Sequence, residues 1–499
     1  MVLEFVYNFS LLRVVSATKE EHEQLMLIAT GQNYNFQTKS YWEECFYKNY
    51  EYLPAGMWKR VLELNRAKNP WHVHITNLND FVRTDITKEK LQEWVDSQNL
   101  IYDPYYYQAD AFFKLIKFPR SKAEIGTGGG KTFTACLLAR YYLQNILEPG
   151  QKVLIVVPRR ALVDQFLSDL KKYCDDGYLI IDSEYSGGRN YANSNVIVGT
   201  FQTLSNYEAS FFEDIGCAIF DEAHTAKTRS IKEEIIPKLP WAKCRSFHGM
   251  TGTEPDDEIG KLILECYIGP TLQFTPTSEL EEAGSIVPTK VLMVGIKHTR
   301  KTAELYYTSP ETSEPNQKRI AFEKQVVLYN EERLAFIAEI LNKLQKSTLM
   351  LFNTVEYARY MMDHLNHNSH KKIRLIYGAT PDAERQRIFE ELENHDDIIL
   401  LATFGTMSTG ISIDNIHNLA TADGGKSTII INQSIGRGVR LHKDKEFLRY
   451  IDFYDIIPKY DPDWGGPRTN VFQRQSDARR KIYDKRKTEH KTKIVELKS

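Results

Sequence analysis

A glycine-rich run of the chain carries the residue types that enclose the phosphates of a nucleotide. The run reads Glu124-Ile125-Gly126-Thr127-Gly128-Gly129-Gly130-Lys131-Thr132. Its glycines allow consecutive backbone N–H groups to turn toward phosphate oxygens, and Lys131 adds a point charge near the β- and γ-phosphates. The Thr132 hydroxyl is a ligand for Mg²⁺, and a helix that starts here presents its positive end to the same anions. The run from Gly126 to Thr132 therefore predicts a nucleotide-binding loop, with a glycine-rich surface loop as the alternative.

Two acidic residues follow an apolar stretch farther along the chain. Residues 215–220 predict a buried strand, and Asp221-Glu222-Ala223-His224 come directly after it. Asp221 would hold Mg²⁺, and Glu222 would orient the water that attacks the γ-phosphate. For this run alone, the alternative is an acidic turn. Because both runs occur in one chain, the sequence predicts that the protein hydrolyses a nucleoside triphosphate.

A cluster with two arginines lies in the second half of the chain. It reads Gln433-Ser434-Ile435-Gly436-Arg437-Gly438-Val439-Arg440, and it follows residues 428–431, for which we predict a strand. Two arginines three positions apart face the same side of a helix. Their guanidinium groups can neutralise the charge on a γ-phosphoryl group in transfer. Gln433, Arg437 and Arg440 are therefore candidate catalytic residues, and a solvated basic turn is the alternative.

The composition predicts a globular protein of several domains. The chain has 499 residues, too many for one hydrophobic core, and is 42% hydrophobic and 26% charged. A formal charge of −2 gives no general attraction to nucleic acid, so such a site needs local clustering. Six widely spaced cysteines without a C-x-x-C pair disfavour both metal ligation and a disulfide framework. Because no export signal and no membrane span is visible, we expect a cytoplasmic protein.

The order of strand-like and helical segments predicts three blocks and a tail. Residues 1–100 are interpreted as a small α+β accessory domain that binds DNA. In 101–290 strand-like runs alternate with helices, as in a parallel sheet with crossover helices, and after a helical connector the pattern resumes within 291–455. The tail, 456–499, is basic, with eleven Lys and Arg against four Asp and Glu in 468–499. The predicted fold class is α/β, with two tandem parallel-sheet lobes after the small α+β domain.

The motifs occur in the order found in superfamily 2 helicases and translocases, which this chain resembles over about residues 101–455. The resemblance implies two RecA-like lobes that bind ATP and Mg²⁺ between them. The matching segments are Tyr107-Gln108 (the adenine-reading Q motif), Lys131-Thr132 (motif I), 158–165 (Ia), 199–203 (the next strand-contacting motif), Asp221–His224 (II), Thr251-Gly252-Thr253 (III), 351–353 (IV), 402–412 (V) and 433–440 (VI).

The resemblance also implies roles for residues outside the two phosphate-binding runs. Gln108 and Gly410 would contact the nucleotide, and His224, Thr251 and Thr253 would couple the ATP site to the nucleic-acid site. A loop-capping role is nearly as good an explanation for each polar residue that would contact nucleic acid. The candidates for contacts with the nucleic-acid backbone are Arg159, Arg160, Thr200 and Gln202 in the first lobe and Asn353 and Thr403 in the second.

A closer resemblance connects the chain to UvsW-type phage helicases. It rests on residues 405–417, on Gly425-Lys426-Ser427 and on 433–437. That family has a small N-terminal domain and remodels branched DNA by ATP-driven branch migration, fork regression and unwinding, in phage recombination, repair and replication. The resemblance implies a DEAH-containing DNA helicase that acts as a monomer on forked or single-stranded DNA in the host cytoplasm, without a membrane and alongside other recombination or replication proteins.

Three positions depart from the family pattern. Ile125 replaces the first glycine of motif I, Gly252 replaces the usual alanine of motif III, and Ser412 replaces the usual aspartate of motif V. The last change removes the acid that contacts the ribose there, and Asp414 is the candidate replacement.

Several alternatives stay open at this point. An RNA helicase shares the ATP machinery, and no residue pattern here distinguishes a 2′-hydroxyl. A motor subunit of a restriction-type complex would act together with partner chains. A non-catalytic DNA-binding or annealing module is disfavoured by the intact Lys131, Glu222 and Arg437. The basic tail either binds duplex DNA through its phosphates or is a solvated chain end.

Overall fold

The structure, a computed structural model, divides into two compact units, Met1–Pro276 and Thr277–Ser499. Among the described helices, none is long and apolar enough to cross a membrane. The described residues are 1–7, 10–35, 40–66, 71–98, 100–173, 178–184, 194–227, 230–239, 244–255, 257–309, 316–407, 414–423, 428–458 and 471–497.

A small α+β module begins the first unit. Its main sheet is mixed and has the order β5-β2-β1-β6, and β3 and β4 form an antiparallel hairpin. Thr18 and Glu21 form a capping box at the start of α1, and Thr87 caps α4. The elements are β1 Val2–Val6, β2 Leu11–Ser16, α1 Lys19–Ala29, β3 Thr30–Asn35, β4 Ser40–Cys45, β5 Tyr52–Pro54, α2 Trp58–Glu63, β6 His74–Ile75, α3 Leu78–Phe81 and α4 Lys88–Ser97.

The first lobe contains a seven-stranded sheet in which every strand pairs in parallel. The strand order is β13-β7-β12-β11-β8-β10-β9, and the strands are buried runs with helices between them. The elements are α5 Tyr106–Lys117, β7 Arg120–Ile125, α6 Lys131–Asn145, β8 Lys152–Val157, α7 Arg160–Tyr173, β9 Ile181–Glu184, β10 Val196–Thr200, α8 Phe201–Leu204, β11 Ile215–Asp221, β12 Ser246–Thr251, α9 Glu258–Tyr267 and β13 Thr271–Thr275.

The small module and the first lobe share one hydrophobic core. Ile259, Leu262 and Cys266 on α9 pack in the same cluster as the apolar side chains of the module. The indole of Trp58, which is 6% exposed, donates to the carbonyl of Arg120 at 3.1 Å. Trp58 is therefore a core residue at the boundary between the module and the first lobe.

The second unit contains a second parallel sheet, so the predicted α/β fold with two parallel-sheet lobes is confirmed. Its strand order is β16-β17-β15-β18-β19-β14-β20. The elements are α10 Thr277–Glu282, β14 Thr289–Lys297, α11 Arg300–Thr308, α12 Asn316–Glu323, α13 Glu331–Lys343, β15 Thr348–Phe352, α14 Val355–Asn368, β16 Lys372–Ile376, α15 Asp382–Asn394, β17 Ile398–Thr403, α16 Phe404–Met407, β18 Asn418–Thr421, α17 Thr428–Gly438, β19 Leu448–Ile456, α18 Val471–Lys485 and β20 Glu489–Glu496.

The strand predicted for residues 428–431 is wrong, because these residues begin the helix α17. The three isoleucines at 429–431 have high strand propensity, but propensity is a weak prior that tertiary context overrides. Ile431 is buried at 4% exposure, which is consistent with a core-facing helical turn.

Much of the basic C-terminal segment is folded onto the second sheet. β20 pairs with β14 as the outermost strand, and α18 lies against β19. The guanidinium of Arg479 on α18 binds both carboxylate oxygens of Asp452 at 2.6 and 2.9 Å, and Tyr483 donates to the same carboxylate at 2.8 Å. Arg479 is 2% exposed and Asp452 is fully buried, so this charge pair fixes α18 to the sheet.

One cysteine forms a disulfide, although the spacing of the cysteines disfavours a disulfide framework. Cys136, on α6, is disulfide-bonded, and its partner lies outside the described residues. The cysteines at positions 45, 217, 244 and 266 are free thiols. Among the described residues, no group of three or more His, Cys, Asp or Glu side chains could hold a metal ion.

Removal of the buried charge pair is expected to destabilise the second lobe strongly. Asp452→Ala leaves the Arg479 guanidinium buried without its carboxylate, which costs about 3–5 kcal/mol. The control, Glu339→Ala, breaks an exposed pair with Lys343 on α13, for which about 0–1 kcal/mol is expected. Urea unfolding followed by circular dichroism measures both. Equal losses for the two variants would contradict the role given to Arg479.

Candidate functional site

The glycine-rich loop adopts the backbone conformations for which its glycines are suited. Gly128 and Gly130 have φ values of +91° and +75°, which residues other than glycine rarely adopt. The N–H of Gly129 donates to the carbonyl of Gly126 at 3.0 Å, which closes a turn. Lys131 starts α6, a helix of 15 residues with Gly130 as its N-cap. The loop thus joins β7 to a helix N-terminus, the arrangement that binds phosphate.

Gln108 joins α5 to this loop. Its amide nitrogen donates to the carbonyl of Gly129 at 3.0 Å, and its amide oxygen accepts from the N–H of Tyr105 at 2.9 Å. Gln108 is 4% exposed. A Cβ added to Gly130 would lie 2.3 Å from the amide nitrogen of Gln108, so the two residues fit together only because position 130 is glycine.

The acidic pair lies at the same edge of the sheet as the loop. Asp221 is the last residue of β11, and Glu222 follows it with a φ of +47°. A non-glycine residue in this region stores backbone strain, which is common at functional sites. The carboxylate of Glu222 lies 3.9 Å from the amine of Lys131. The structure therefore brings together two of the residues that the sequence assigns to triphosphate hydrolysis.

The threonines of motif III connect to the acidic pair through His224. Nδ1 of His224 lies 3.0 Å from Oγ1 of Thr251 and 3.4 Å from Oε2 of Glu222. The Thr251 hydroxyl donates to the carbonyl of Thr253 at 2.9 Å and accepts from its N–H at 3.3 Å. The hydroxyl of Thr251 therefore joins His224 to the backbone of Thr253.

Gly252 places motif III against the phosphate loop. A Cβ at this position would lie 2.9 Å from Oγ1 of Thr127 and 3.4 Å from the amine of Lys131. An alanine at this position would therefore press on the hydroxyl of Thr127 and would meet the amine of Lys131 at an ordinary van der Waals distance. The glycine that departs from the family pattern gives the loop more room than an alanine would.

The donor set at this edge fits one small hard cation together with phosphate oxygens. Thr132 offers a hydroxyl at the start of α6, and Asp221 offers a carboxylate at the end of β11; both are partly exposed. Mg²⁺ uses few protein ligands of this kind and completes its shell with water and substrate phosphates.

The first-lobe candidates for nucleic-acid contact fall into two groups. Arg159, Arg160 and Gln202 are exposed at the carboxyl ends of β8 and β10. Thr200 is buried, and its hydroxyl caps α8 by accepting from the N–H of Thr203 at 3.2 Å. Thr200 therefore has a capping role in the fold, as the alternative explanation predicts for a polar residue in a loop.

The second-lobe candidates behave in a similar way. Thr403 is buried and caps α16 through the N–H of Thr406. Asn353 is exposed, its N–H donates to Oδ2 of Asp423 at 2.5 Å, and its side-chain amide donates to the carbonyl of Asp423 at 3.2 Å. Burial raises the pKa of Asp423 to about 7. The sequence offered one signal for Asp423, which was not among the candidates: it lies two residues after the end of β18, near the carboxyl end of that strand.

The structure describes the side chain of only one of the two arginines in the motif VI cluster, Arg440. Arg440 lies two residues beyond Gly438, the last residue of α17, and is partly exposed. The expectation that both arginines face one side of a helix is therefore wrong, because the helix ends before Arg440. The side chains of Gln433 and Arg437 lie outside the described part of the structure, and so does Gly410.

Comparisons with known proteins find family matches in both units. Residues 101–255 match the family described as the res subunit of type III restriction enzymes, and residues 332–442 match the helicase conserved C-terminal domain. The chain is 29% identical over 387 residues to the ATP-dependent DNA helicase UvsW of Enterobacteria phage T4. That alignment covers 75% of this chain and 74% of the phage protein.

Two solved structures are similar in fold. Dbp5 of Saccharomyces cerevisiae, bound to RNA and ADP BeF3, matches with a TM-score of 0.55 at 15% identity, over 82% of this chain and 93% of that one. The ATP-dependent type ISP restriction-modification enzyme LlaBIII, bound to DNA, matches with a TM-score of 0.55 at 14% identity, over 80% of this chain and 32% of that one.

A substitution at the N-cap of α6 is expected to disrupt nucleotide binding. Gly130→Ala forces a side chain into a left-handed backbone and against Gln108, and displacement of the loop is expected to raise the KM for ATP about tenfold or more. Gly150→Ala is the matched control, because Gly150 has a φ of +90° with no atom within 4 Å of an added Cβ. Steady-state ATPase assays compare them. A normal KM for Gly130→Ala would show that the loop tolerates displacement.

Proposed function

Since the chain is a superfamily 2 helicase that resembles the UvsW type, we propose that it uses ATP hydrolysis to remodel branched DNA. The reactions proposed are branch migration, fork regression and unwinding in recombination, repair and replication. The observation that carries the proposal is the connected set Lys131, Glu222, His224 and Thr251, whose consecutive contacts of 3.9, 3.4 and 3.0 Å link the phosphate loop to motif III.

The first lobe supplies the groups that act on ATP. The loop from Gly126 to Thr132 binds the phosphates through backbone N–H groups and the amine of Lys131. Thr132 and Asp221 would hold Mg²⁺, which neutralises phosphate charge when it is bound. Glu222 orients the attacking water, and its 3.9 Å distance from Lys131 places it beside the loop.

The proposed coupling acts through His224, Thr251 and Thr253. Their shared hydrogen bonds mean that a shift of the motif III segment changes the position of His224 relative to Glu222. Nucleic acid that displaces this segment would therefore change how Glu222 orients the attacking water, and with it the rate of ATP hydrolysis. The support is the short length of this chain of contacts, in which the hydroxyl of Thr251 bonds both to His224 and to the backbone of Thr253.

The remaining nucleotide contacts are assigned by resemblance. Gln433, Arg437 and Arg440 stabilise the charge of the transferring phosphoryl group. Gln108 reads the adenine, and Gly410 approaches the nucleotide through its backbone. In the first lobe, the carbonyl of Gly129 already accepts a hydrogen bond from Gln108, which supports a link between base recognition and phosphate binding.

DNA is proposed to contact the carboxyl edges of both sheets. The exposed Arg159, Arg160 and Gln202 suit backbone contacts directly. Thr200, Asn353 and Thr403 are proposed to contribute their backbone or remaining polar atoms, since their side chains also hold local structure. The module at 1–100 and the basic segment 456–499 are proposed accessory DNA contacts.

A motor subunit of a restriction-type complex is the second candidate. The match of residues 101–255 to the res subunit of type III restriction enzymes favours it. The two proposals differ in their need for partner chains, because the branched-DNA helicase is proposed to act as a monomer. Unwinding of a fork by the purified chain supports the first candidate, and activity that appears only with added partner subunits supports the second.

Loss of the phosphate-binding lysine or the acidic residue is expected to abolish hydrolysis. Lys131→Ala removes the phosphate charge contact, and Glu222→Gln removes the group that orients water, so DNA-stimulated ATPase falls to roughly 1% or less. DNA binding, measured by fluorescence anisotropy, stays near the wild-type level. Lys261→Ala and Glu258→Gln, an exposed pair on α9, are the matched controls. Retained turnover in either site variant overturns the assigned roles.

The nucleic-acid preference is tested with matched forks. We expect forked DNA to stimulate the ATPase at least about fivefold more than an RNA fork of the same sequence, in the range typical of a coupling between two sites. Four-way DNA junctions are expected to be migrated in the presence of ATP. Equal or greater stimulation by RNA would favour an RNA helicase instead.

A further inference from the structure

A buried lysine in the first sheet has no part in the chemistry proposed above. Lys122 lies in β7, between Gly249 of β12 and Thr271 of β13, and is 2% exposed. Strands buried on both faces of a parallel sheet are usually apolar. An apolar side chain of similar size would avoid the cost of burying a charge and is often neutral or stabilising. Stability of the sheet therefore does not explain the lysine.

The amine of Lys122 holds the residue that follows motif III. It lies 3.4 Å from Oε1 of Glu254, and the hydroxyl of Thr271 donates to the same oxygen. Burial lowers the pKa of Lys122, and the carboxylate of Glu254 opposes that shift. Glu254 comes directly after Thr253. The contact between the buried Lys122 and the partly exposed Glu254 therefore fixes the end of the segment whose other end contacts His224.

The stem of Lys122 also lies beside the acidic segment. A Cβ on Gly249 would be 2.9 Å from Cγ of Lys122 and 2.9 Å from Cβ of Ala223. Both side chains therefore flank the same point on β12, and the glycine leaves room for them. Ala223 is the residue between Glu222 and His224, so Lys122 lies next to both segments that the proposed coupling joins.

We propose that Lys122 is a positioning residue that acts through Glu254 and Thr271 to hold motif III against His224, so that nucleic-acid binding changes the rate of ATP hydrolysis. The inference rests on the proposed function and adds a residue to it. Lys122 is buried within the sheet and is proposed to act only through these neighbours. Glu265 also influences Lys122 electrostatically, and it pairs with Arg60 of the small module at 2.7 Å.

The test compares ATPase rates with and without a forked DNA of fixed sequence. Lys122→Met keeps the length of the side chain and removes its charge. The ratio of stimulated to basal rate is expected to fall about tenfold, while the KM for ATP stays within about twofold. Glu254→Gln is expected to lower the same ratio. In the double variant, the ratio of stimulated to basal rate is expected to fall no further than in the more severely affected single variant, because both substitutions remove the same interaction.

The control is Lys261→Met, which makes the same chemical change in the exposed pair with Glu258 on α9 and is expected to keep the wild-type ratio. Thermal unfolding of each variant establishes that it is folded. A wild-type ratio in folded Lys122→Met, or losses that multiply in the double variant, would overturn the inference. If Lys122→Met does not fold, Thr271→Val provides the test, because it removes a donor to Glu254 without leaving a buried charge. A lowered ratio in folded Thr271→Val supports the inference, and a wild-type ratio overturns it.

The same assay separates this inference from the proposed function. Wild-type chain that hydrolyses ATP without any stimulation by DNA contradicts the proposed function. Wild-type chain that is stimulated by DNA, together with folded variants that are stimulated equally, contradicts the role of Lys122 alone.

Discussion

The parallel pairing of β7, β12 and β11 is the constraint on which the candidate site depends. Because the strands run in the same direction, their carboxyl ends meet at one edge of the sheet. The phosphate loop follows β7, motif III follows β12 and the acidic pair follows β11. Segments that are distant in sequence are thus brought within 3–4 Å of one another, as the contacts of Lys131, Glu222 and Thr251 show.

The same sheet explains why the small N-terminal module is part of the first unit. Its apolar side chains pack on α9, which leads from motif III to β13. A Cβ on Gly56 of the module would lie 1.9 Å from the carbonyl of Glu265, so the two backbones approach closely. The module and α9, the helix that follows motif III, therefore share one hydrophobic core.

The sequence predicted the local parts of this arrangement. Buried strands such as Val153–Val157 are continuous apolar runs, and the loop at Gly126–Thr132 needs glycine for backbone conformations that few other residues adopt. The strand prediction for residues 428–431 is wrong because a short run of isoleucines fits a buried strand and a buried helix equally well. The Arg479–Asp452 and Lys122–Glu254 pairs could not be predicted, because they join segments whose proximity only the fold creates.

Every role proposed for these residues requires that ATP binds at the edge formed by β7, β12 and β11. A crystal structure of the chain with a non-hydrolysable ATP analogue, Mg²⁺ and a DNA fork would show where the nucleotide lies. We expect phosphate oxygens within hydrogen-bond distance of the amine of Lys131 and the N–H groups of the loop, with Glu222 facing the γ-phosphate. An analogue bound elsewhere, with the loop at 126–132 free of phosphate, would contradict it.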